Sequence, residues 1–315
     1  MKVLYFDVEH GSKTLGSEET IAKNFGLPML TPSSWDEFQS TIGKIYKTET
    51  VKKKVKMSDT FEIEQTVSKI VPRNDIQIDA LVIDTFSELS KKFMRTLTDK
   101  TGKMKLQEWG RLKNKLDTAL EFVTRIPGNV ILTCHSKVQT MDSGENRLQP
   151  YVDGSTKEDI SKWFDFVFYT KTITKDDGTR EYKWITANSE MYNHAKDRTQ
   201  LLPEEMDQDF NQVLTAASKK GFNGSKILVI GSPGSGKTFS LKSLINPLLN
   251  EDGSEEDPHN LRNNHIPEPE RTSMEQAADA EDPNFAESTP ANGEIAYLRG
   301  ETNNIEEVSN ENINS

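Results

Sequence analysis

The chain has 315 residues, and 39 Lys and Arg against 50 Asp and Glu give it a formal net charge of -11. Hydrophobic residues are only 34% of the chain, and no apolar run reaches the roughly 18 residues of a membrane-spanning helix, so we expect no membrane association. The single cysteine, Cys134, excludes an internal disulfide framework and a cysteine-based zinc site, and it fits a reducing cytoplasm.

The predicted elements alternate, in chain order, between short apolar strands and amphipathic helices. Strands are predicted at 2–8, 79–86, 129–135 and 226–231, with paired strands at 164–173 and 181–187. Helices are predicted at 17–26, 35–46, 106–125, 157–164 and 204–218, and the polar residues 47–77 indicate an insertion or a long hairpin. This alternation predicts an α/β fold with a mainly parallel sheet flanked by helices.

The acidic residues are concentrated near the C-terminal end. Residues 251–315 hold 17 Asp and Glu but three Arg, whereas the other 250 residues hold 36 bases against 33 acids, a net charge of +3. This composition, poor in aromatic residues, predicts a disordered acidic tail over 250–315. Three roles fit such a tail: a solubilising segment, a mimic of nucleic acid at a basic surface, or a docking peptide for a partner such as a replication protein.

The strongest motif is a phosphate-binding loop that satisfies G-x-x-x-x-G-K-[ST] between a predicted strand and a predicted helix. Its residues are Gly231, Ser232, Pro233, Gly234, Ser235, Gly236, Lys237 and Thr238. The glycines let backbone N–H groups approach phosphate oxygens, and the following helix N-terminus favours negative charge. We expect Lys237 to reach the β- and γ-phosphates of ATP, and the Thr238 hydroxyl to bind Mg²⁺.

A loop of this type needs an acidic residue on a neighbouring strand to complete the Mg²⁺ shell. No strand followed by an acid comes after Thr238, whereas the apolar strand 81–84 ends in Asp84. Glu9 follows another predicted strand, where its carboxylate is suited to polarise the water that attacks the γ-phosphate. An acid in either position is also commonly a simple strand-end residue.

Together these residues resemble the RecA-like P-loop ATPases, and in particular phage-type proteins with an AAA/RecA core that take part in single-strand annealing and recombination. The likeness covers residues 1–245. Residues 5–11 resemble the RecA segment whose glutamate activates water, and residues 81–84 resemble the Walker B strand. The resemblance implies that His135, at a position that is Gln in RecA, senses the γ-phosphate.

The resemblance also implies roles in contacts with other molecules. Lys196 and Arg198 resemble a K-x-R element that reaches the γ-phosphate of a neighbouring subunit, which requires a homo-oligomeric ring or filament. Without that resemblance, two such cations in a polar stretch are more often a solvated pair. The resemblance further implies that single-stranded DNA binds to the segment after the Walker B strand and to the loop 136–156. These are the places where RecA-like proteins carry their DNA-binding loops. The candidate contacts are Lys91, Lys92, Arg95, Lys100, Lys103, Lys105 and Tyr151, with a third basic patch at 52–56. Ordinary surface charge explains each patch equally well, and the net charge of +3 gives no overall basic signature.

The order of the motifs departs from the family, in which the P-loop strand comes first. One explanation is a circular permutation, with a core over 1–249 in which 226–249 supplies the P-loop strand and helix. A second is a reading frame opened at an arbitrary point, and a third is a degenerate core fused to a fragment of another ATPase. The third fits poorly, because 226–249 supplies the strand and helix that 1–220 lacks.

The sequence therefore predicts an ATPase that uses ATP and Mg²⁺ and acts on single-stranded DNA in phage recombination or replication, in the cytoplasm of a bacterial host. One alternative is a nucleotide-dependent switch or scaffold with little hydrolysis, and another is a motor on a substrate other than DNA. The K-x-R element and the Glu9 segment argue against a small-molecule kinase.

Overall fold

The central sheet has five parallel strands, and the one that comes last in the sequence lies between two others rather than at an edge. The computed structural model describes residues 1–245. Its parallel strands lie in the spatial order β1 (Val3–Asp7), β4 (Ala80–Asp84), β5 (Asn129–Thr140), β11 (Lys226–Gly231) and β7 (Phe166–Thr174). Because β11 fits between β5 and β7, the strand that leads into the P-loop is covered on both edges.

Antiparallel strands extend this sheet beside β7 and beside β5. They are β6 (Asn146–Pro150), which pairs with β5; β8 (Arg180–Ile185) and β9 (Lys196–Asp197), which pair with β7; and β10 (Glu205–Asp207), which pairs with β8. The predicted α/β class with a mainly parallel sheet is confirmed.

Helices cover both faces of the sheet. They are α1 (Glu18–Phe25), α2 (Trp35–Ile45), α3 (Phe86–Leu97), α4 (Leu106–Thr124), α5 (Thr156–Asp159), α6 (Phe210–Lys219) and α7 (Lys237–Ser240), with short 3-10 turns at Ser12–Leu15, Ile160–Trp163 and Leu241–Leu244. Serine and threonine caps begin several of them: the Ser34 Oγ accepts the Glu37 N–H at 3.1 Å, and the Thr85 Oγ1 accepts the Glu88 N–H at 3.2 Å. No helix within residues 1–245 is long and apolar enough to cross a membrane.

Strand β4 shows how the two faces are filled. Leu81 and Ile83 pack into a core with α2, α3 and α4, while Ala80 and Val82 pack into a second core with α1 and α6. All four are at most 1% exposed, as expected for a parallel strand covered on both sides. Because β1, β4, β5 and β11 are parallel, the residues that follow their buried segments lie at the same end of the sheet.

The structure corrects the prediction at three places. Residues 86–97, predicted only as a basic stretch, form α3, and the predicted helix 204–218 is instead β10 followed by α6, whose first turn Asp209 caps through the Asn211 N–H. The predicted loop 136–156 is largely the antiparallel pair β5–β6. Residues 47–77 form most of a hairpin of β2 (Tyr46–Lys56) and β3 (Glu62–Pro72), which is one of the two predicted options.

The predicted acidic tail, residues 250–315, and the end of the predicted P-loop helix lie outside the described residues.

Candidate nucleotide site

The P-loop turns between β11 and α7, and two of its glycines have no room for a side chain. Gly236 has a φ of +85°, and a Cβ added there lies 2.7 Å from the Gln208 Oε1 and 3.0 Å from the Tyr182 ring. A Cβ on Gly231 lies 1.7 Å from the Thr170 Oγ1. These close approaches explain why the motif requires glycine at both positions.

Two side chains that sequence reasoning missed hold the loop in place. The Thr170 hydroxyl of β7 lies 2.6 Å from the Ser235 Oγ, and the Gln208 Nε2 donates to the Ser235 carbonyl at 3.1 Å. Gln208 is 6% exposed, and its Oε1 has no hydrogen-bond partner among the described residues. Neither residue belongs to a sequence motif. Thr170 and Gln208 lie far from the P-loop in the sequence and contact it only because the fold brings their segments beside it.

Lys237 lies folded over the loop, with its side chain buried. Its Nζ donates to the Gly231 and Ser232 carbonyls, both at 2.9 Å. Burial lowers the pKa of Lys237, while the carboxylates of Asp84 and Glu9 act in the opposite direction. The ammonium group is therefore poorly solvated, which favours its interaction with an incoming anion.

Asp84 ends β4, and hydroxyl groups from three parts of the chain surround its buried carboxylate. The Thr238 Oγ1 donates to Oδ2 at 2.7 Å, the Tyr5 hydroxyl donates to the same oxygen at 3.3 Å, and the Thr133 Oγ1 donates to Oδ1. Burial raises the pKa of Asp84, and the bonds from Thr133 and Thr238 partly offset this shift. Thr238 and Asp84 are 154 positions apart, so distant parts of the sequence meet at this carboxylate.

Glu9 and His135 form a pair at the mouth of the same site. The Glu9 Oε1 lies 3.0 Å from the His135 Nε2, and the His135 backbone N–H donates to the Ser87 Oγ at 2.8 Å. The hydrogen bond from His135 lowers the pKa of Glu9, and partial burial opposes that shift. Glu9 remains 40% exposed in its side chain, so it can contact both solvent and a bound ligand.

A cavity of about 450 Å³ joins these groups. Glu9, His135 and Tyr182 line this cavity together with the P-loop residues Lys237 and Thr238. The volume falls in the range of pockets that hold small ligands and cofactors. The structure thus brings together the predicted P-loop, the Walker B aspartate, the glutamate and the histidine.

The same site fits Mg²⁺ by its donor chemistry. Mg²⁺ prefers oxygen ligands and commonly binds through one or two carboxylates together with substrate phosphates. Thr238 and Asp84 supply a hydroxyl and a carboxylate within hydrogen-bond distance of each other. Residues 1–245 contain no cluster of three or more His, Cys, Asp or Glu that could hold a metal ion.

Lys196 and Arg198 lie at the opposite end of the sheet. Lys196 pairs in register with Val167 near the start of β7, and its Nζ donates to the Ser161 carbonyl at 2.8 Å. Arg198 forms an ion pair with Asp165, with its NH1 2.8 Å from Oδ1. Neither cation reaches the P-loop of its own chain, and the action on a neighbouring subunit stays a prediction.

The candidate DNA contacts fall into two groups. On α3, Lys91 and Arg95 lie within 3.4 and 3.6 Å of Glu88, so their charges are partly neutralised, whereas Lys92 donates to the Pro32 carbonyl. Tyr151, 38% exposed, has the Lys91 Nζ 4.8 Å from its ring centre, and its backbone N–H donates to the His135 carbonyl at 2.7 Å. The structure therefore connects Tyr151 to the nucleotide site.

The other basic candidates lie further away. Lys100 is exposed between α3 and α4, and Lys103 and Lys105 line a separate cavity of about 480 Å³ beside α2, α3 and α4. In the β2–β3 hairpin, Lys52 pairs with Glu64 and Lys56 pairs with Asp59. No contact in residues 1–245 links these lysines to the P-loop.

Comparison with known families gives one match. A model of the AAA domain family matches residues 1–199. The matched range contains Glu9, Asp84 and His135 and ends before the P-loop. No curated protein and no solved structure matches the chain.

Proposed function

Because the chain belongs to the AAA domain family, whose members have a nucleotide-binding, ATPase-type function, we propose that it hydrolyses ATP at the 231–238 loop. One observation carries the proposal: the Thr238 hydroxyl, which lines the same cavity as Glu9 and Lys237, lies 2.7 Å from the buried Asp84 carboxylate. The P-loop and a candidate base thus line one pocket, and a candidate metal-binding acid is hydrogen-bonded to the P-loop threonine.

The side chains have separate tasks in the proposed reaction. Backbone N–H groups of the loop and the Lys237 ammonium bind the phosphates, and Thr238 and Asp84 hold Mg²⁺, directly and through water. Bound Mg²⁺ neutralises charge on the β- and γ-phosphates. Glu9, kept ionised by its lowered pKa, accepts a proton from water as the water oxygen attacks the γ-phosphorus. The bond to the bridging oxygen breaks, and ADP and inorganic phosphate form.

The experiment compares ATP binding and hydrolysis by the full chain with two variants. Lys237→Ala is expected to lose both, because it removes the phosphate-binding cation. Glu9→Gln is expected to keep binding and to lose about 10²- to 10⁴-fold in kcat, the usual contribution of a general base. Full activity of Glu9→Gln would show that Glu9 is not the base. Binding of ATP without turnover in the wild type would favour the switch or scaffold alternative. The Glu9–His135 contact, which already occupies the carboxylate, is the feature that favours that alternative.

We further propose that the chain is a circular permutation of the usual P-loop order. The position of β11 between β5 and β7 supports this, because the last strand fills the centre of the sheet rather than an edge. Met1 and Ile245 both pack against the same core cluster. A rearranged chain, in which residues 221–245 precede Met1 through a short linker, should fold and hydrolyse ATP; failure to fold would count against the permutation.

We propose single-stranded DNA as the molecule that stimulates hydrolysis, in phage recombination or replication. The contact between Tyr151 and His135, and the Lys91 ammonium near the Tyr151 ring, support this substrate. Stimulation by single strands should weaken as salt rises and should be lost in Tyr151→Ala, with Lys44→Ala on α2 as an exposed control. Hydrolysis unaffected by DNA at any salt concentration would point to the motor on another substrate.

We propose that neighbouring copies complete each other's sites through Lys196 and Arg198. Their position far from the P-loop of the same chain supports a role in a second copy. Mixing Lys237→Ala with Arg198→Ala chains should restore part of the activity that each lacks, since some interfaces then pair two intact halves. Asp165→Asn is the control: an equal loss there, without restoration, would mean that Arg198 acts only through its ion pair with Asp165.

Two features of the sequence bear on the cellular compartment and on a partner protein. We propose a reducing cytoplasm, supported by a lone free cysteine that is fully buried. A replication partner that binds the acidic residues 250–315 is also proposed, on their charge alone. Loss of copurification on deletion of residues 251–315 tests that partner.

A further inference from the structure

Asp7 is a buried carboxylate that none of the predicted roles uses. It is the last residue of β1 and lies in register with Asp84 on the neighbouring strand. Asp7 is 1% exposed and Asp84 is 2% exposed, so two acidic side chains are buried side by side. Burying a carboxylate is costly unless strong hydrogen bonds compensate, and the partners of Asp7 therefore indicate what it does.

Those partners are the backbone of the turn that follows Glu9. The Asp7 Oδ1 accepts the Gly11 N–H at 3.0 Å, and its Oδ2 accepts the Ser12 N–H at 3.1 Å. The turn between them passes through His10, whose φ of +61° lies in the left-handed region. Both oxygens of one carboxylate thus close the turn that carries Glu9.

The other side of the turn is held by the Walker B strand and the P-loop. The Val8 and Glu9 N–H groups donate to the Asp84 carbonyl at 2.7 and 3.3 Å. A Cβ added to Gly11 lies 3.6 Å from the Thr238 Oγ1, so the turn packs directly on the P-loop threonine. The backbone of Glu9 is consequently fixed between Asp84 on one side and the groups that Asp7 holds on the other.

We propose that Asp7 is a positioning residue for catalysis, which sets the place of the Glu9 carboxylate by holding the 8–12 turn. The inference rests on the proposed role of Glu9 as the base. Asp7 itself contacts backbone amides rather than the cavity, so it acts on the reaction only through Glu9.

The substitution Asp7→Asn tests this with little change of shape. An asparagine has one acceptor oxygen, so its NH₂ group must face the Gly11 or the Ser12 N–H, and two donors cannot bond. The turn then shifts and displaces Glu9. We expect kcat to fall about 10- to 100-fold, since displacements near 1 Å cost up to about that much. The Kd of ATP should change less than about threefold, because the P-loop contacts stay intact.

A double variant distinguishes a positioning role that acts through Glu9 from a merely structural role of Asp7. If Asp7 acts through Glu9, then Asp7→Asn should lower kcat in the wild type and add nothing in a Glu9→Gln background. Asp79→Asn is the matched control, because Asp79 likewise accepts a backbone N–H, from Lys2 at 2.7 Å, at the other end of β1. That control should leave kcat unchanged.

Ser12→Pro provides a second route if Asp7→Asn fails to fold. It removes one of the two donors and keeps the carboxylate, and it should lower kcat in the same direction with the same dependence on Glu9. Normal kcat in both variants, or equal losses in the wild-type and Glu9→Gln backgrounds, overturns the positioning role. If Glu9→Gln is inactive while Asp7→Asn is normal, only this inference fails; if Glu9→Gln is fully active, the proposed base fails and the inference fails with it.

Discussion

At the residue scale, the site depends on hydroxyl groups around one buried carboxylate. Asp84 receives hydrogen bonds from Tyr5, Thr133 and Thr238, which lie on β1, on β5 and in the P-loop. These donors stabilise a charge that burial disfavours, as the raised pKa of Asp84 indicates. Of these three hydroxyl groups, only that of Thr238 was predicted from the sequence to belong to the site.

Replacing Thr133 with valine should destabilise the protein. The change keeps the shape but removes the hydroxyl that donates to the Asp84 Oδ1, and an unpaired buried polar group costs about 1–3 kcal/mol. Urea unfolding should show a lower midpoint with an unchanged m-value. Thr133→Ser keeps the hydroxyl and is expected to retain most of the stability; equal midpoints for the valine variant and the wild type would contradict the role of this bond.

The Glu9–His135 pair gives a prediction about pH. The hydrogen bond from His135 lowers the folded-state pKa of Glu9, so its stabilising effect is present above the unfolded pKa and is lost as pH falls through the folded pKa. In His135→Leu the pKa of Glu9 should rise, as a carboxyl-carbon NMR titration can measure. His135→Gln keeps an N–H donor and should shift it less. A Glu9 pKa that stays low in His135→Leu would mean that another group lowers it.

Sequence motifs could identify the residues that occur at a fixed spacing in a motif or directly at the end of a predicted strand. The P-loop, Asp84, Glu9 and His135 all belong to such patterns. The P-loop, Glu9 and His135 line one cavity, and Asp84 is buried beside Thr238. Asp7, Thr133, Thr170 and Gln208 could not be found in this way, because their contacts depend on strand neighbours and register. Thr133, for example, reaches Asp84 only because β5 lies beside β4.

At the element scale, periodicity predicted the buried elements best. The helix α4 and the strands β4 and β11 have regular apolar patterns, and each was predicted to within a few residues. The helix α3 was missed, because its buried face includes Ser87 and Ser90 as well as apolar residues. The extension of β5 beyond His135 was missed for a similar reason, since most of its outer residues are polar and most of them are exposed.

The β2–β3 hairpin should be removable without loss of the core. Its base is buried through Tyr46 and Ile70, whereas most of the residues beyond Thr50 and Ser68 are exposed. We expect that replacing residues 51–67 with Asn-Gly, which forms a tight hairpin turn, leaves thermal unfolding and ATP binding nearly unchanged. Tyr46→Ala, at the buried base, should instead cost about 3 kcal/mol. Unfolding of the shortened chain would contradict this division.

At the scale of the whole molecule, the nucleotide site depends on the position of β11. Residues 227–230 of this strand are fully buried between β5 and β7, so the P-loop cannot form its contacts unless the sheet is complete. The sequence predicted that the P-loop and Asp84 would meet, from the chemical need for a metal-binding acid. It could not predict the strand order, which depends on packing between segments far apart in the chain.

The central claim is that Thr238 and Asp84, 154 positions apart, form one Mg²⁺–nucleotide site. Its most direct test is calorimetric titration of ATP into the full chain, with and without Mg²⁺, beside Asp84→Asn and Lys237→Ala. Mg²⁺ should tighten binding to the wild type, the effect should largely disappear in Asp84→Asn, and Lys237→Ala should bind weakly in both conditions. If Asp84→Asn binds ATP with the same Mg²⁺ enhancement as the wild type, the two segments do not share a site and the account is contradicted.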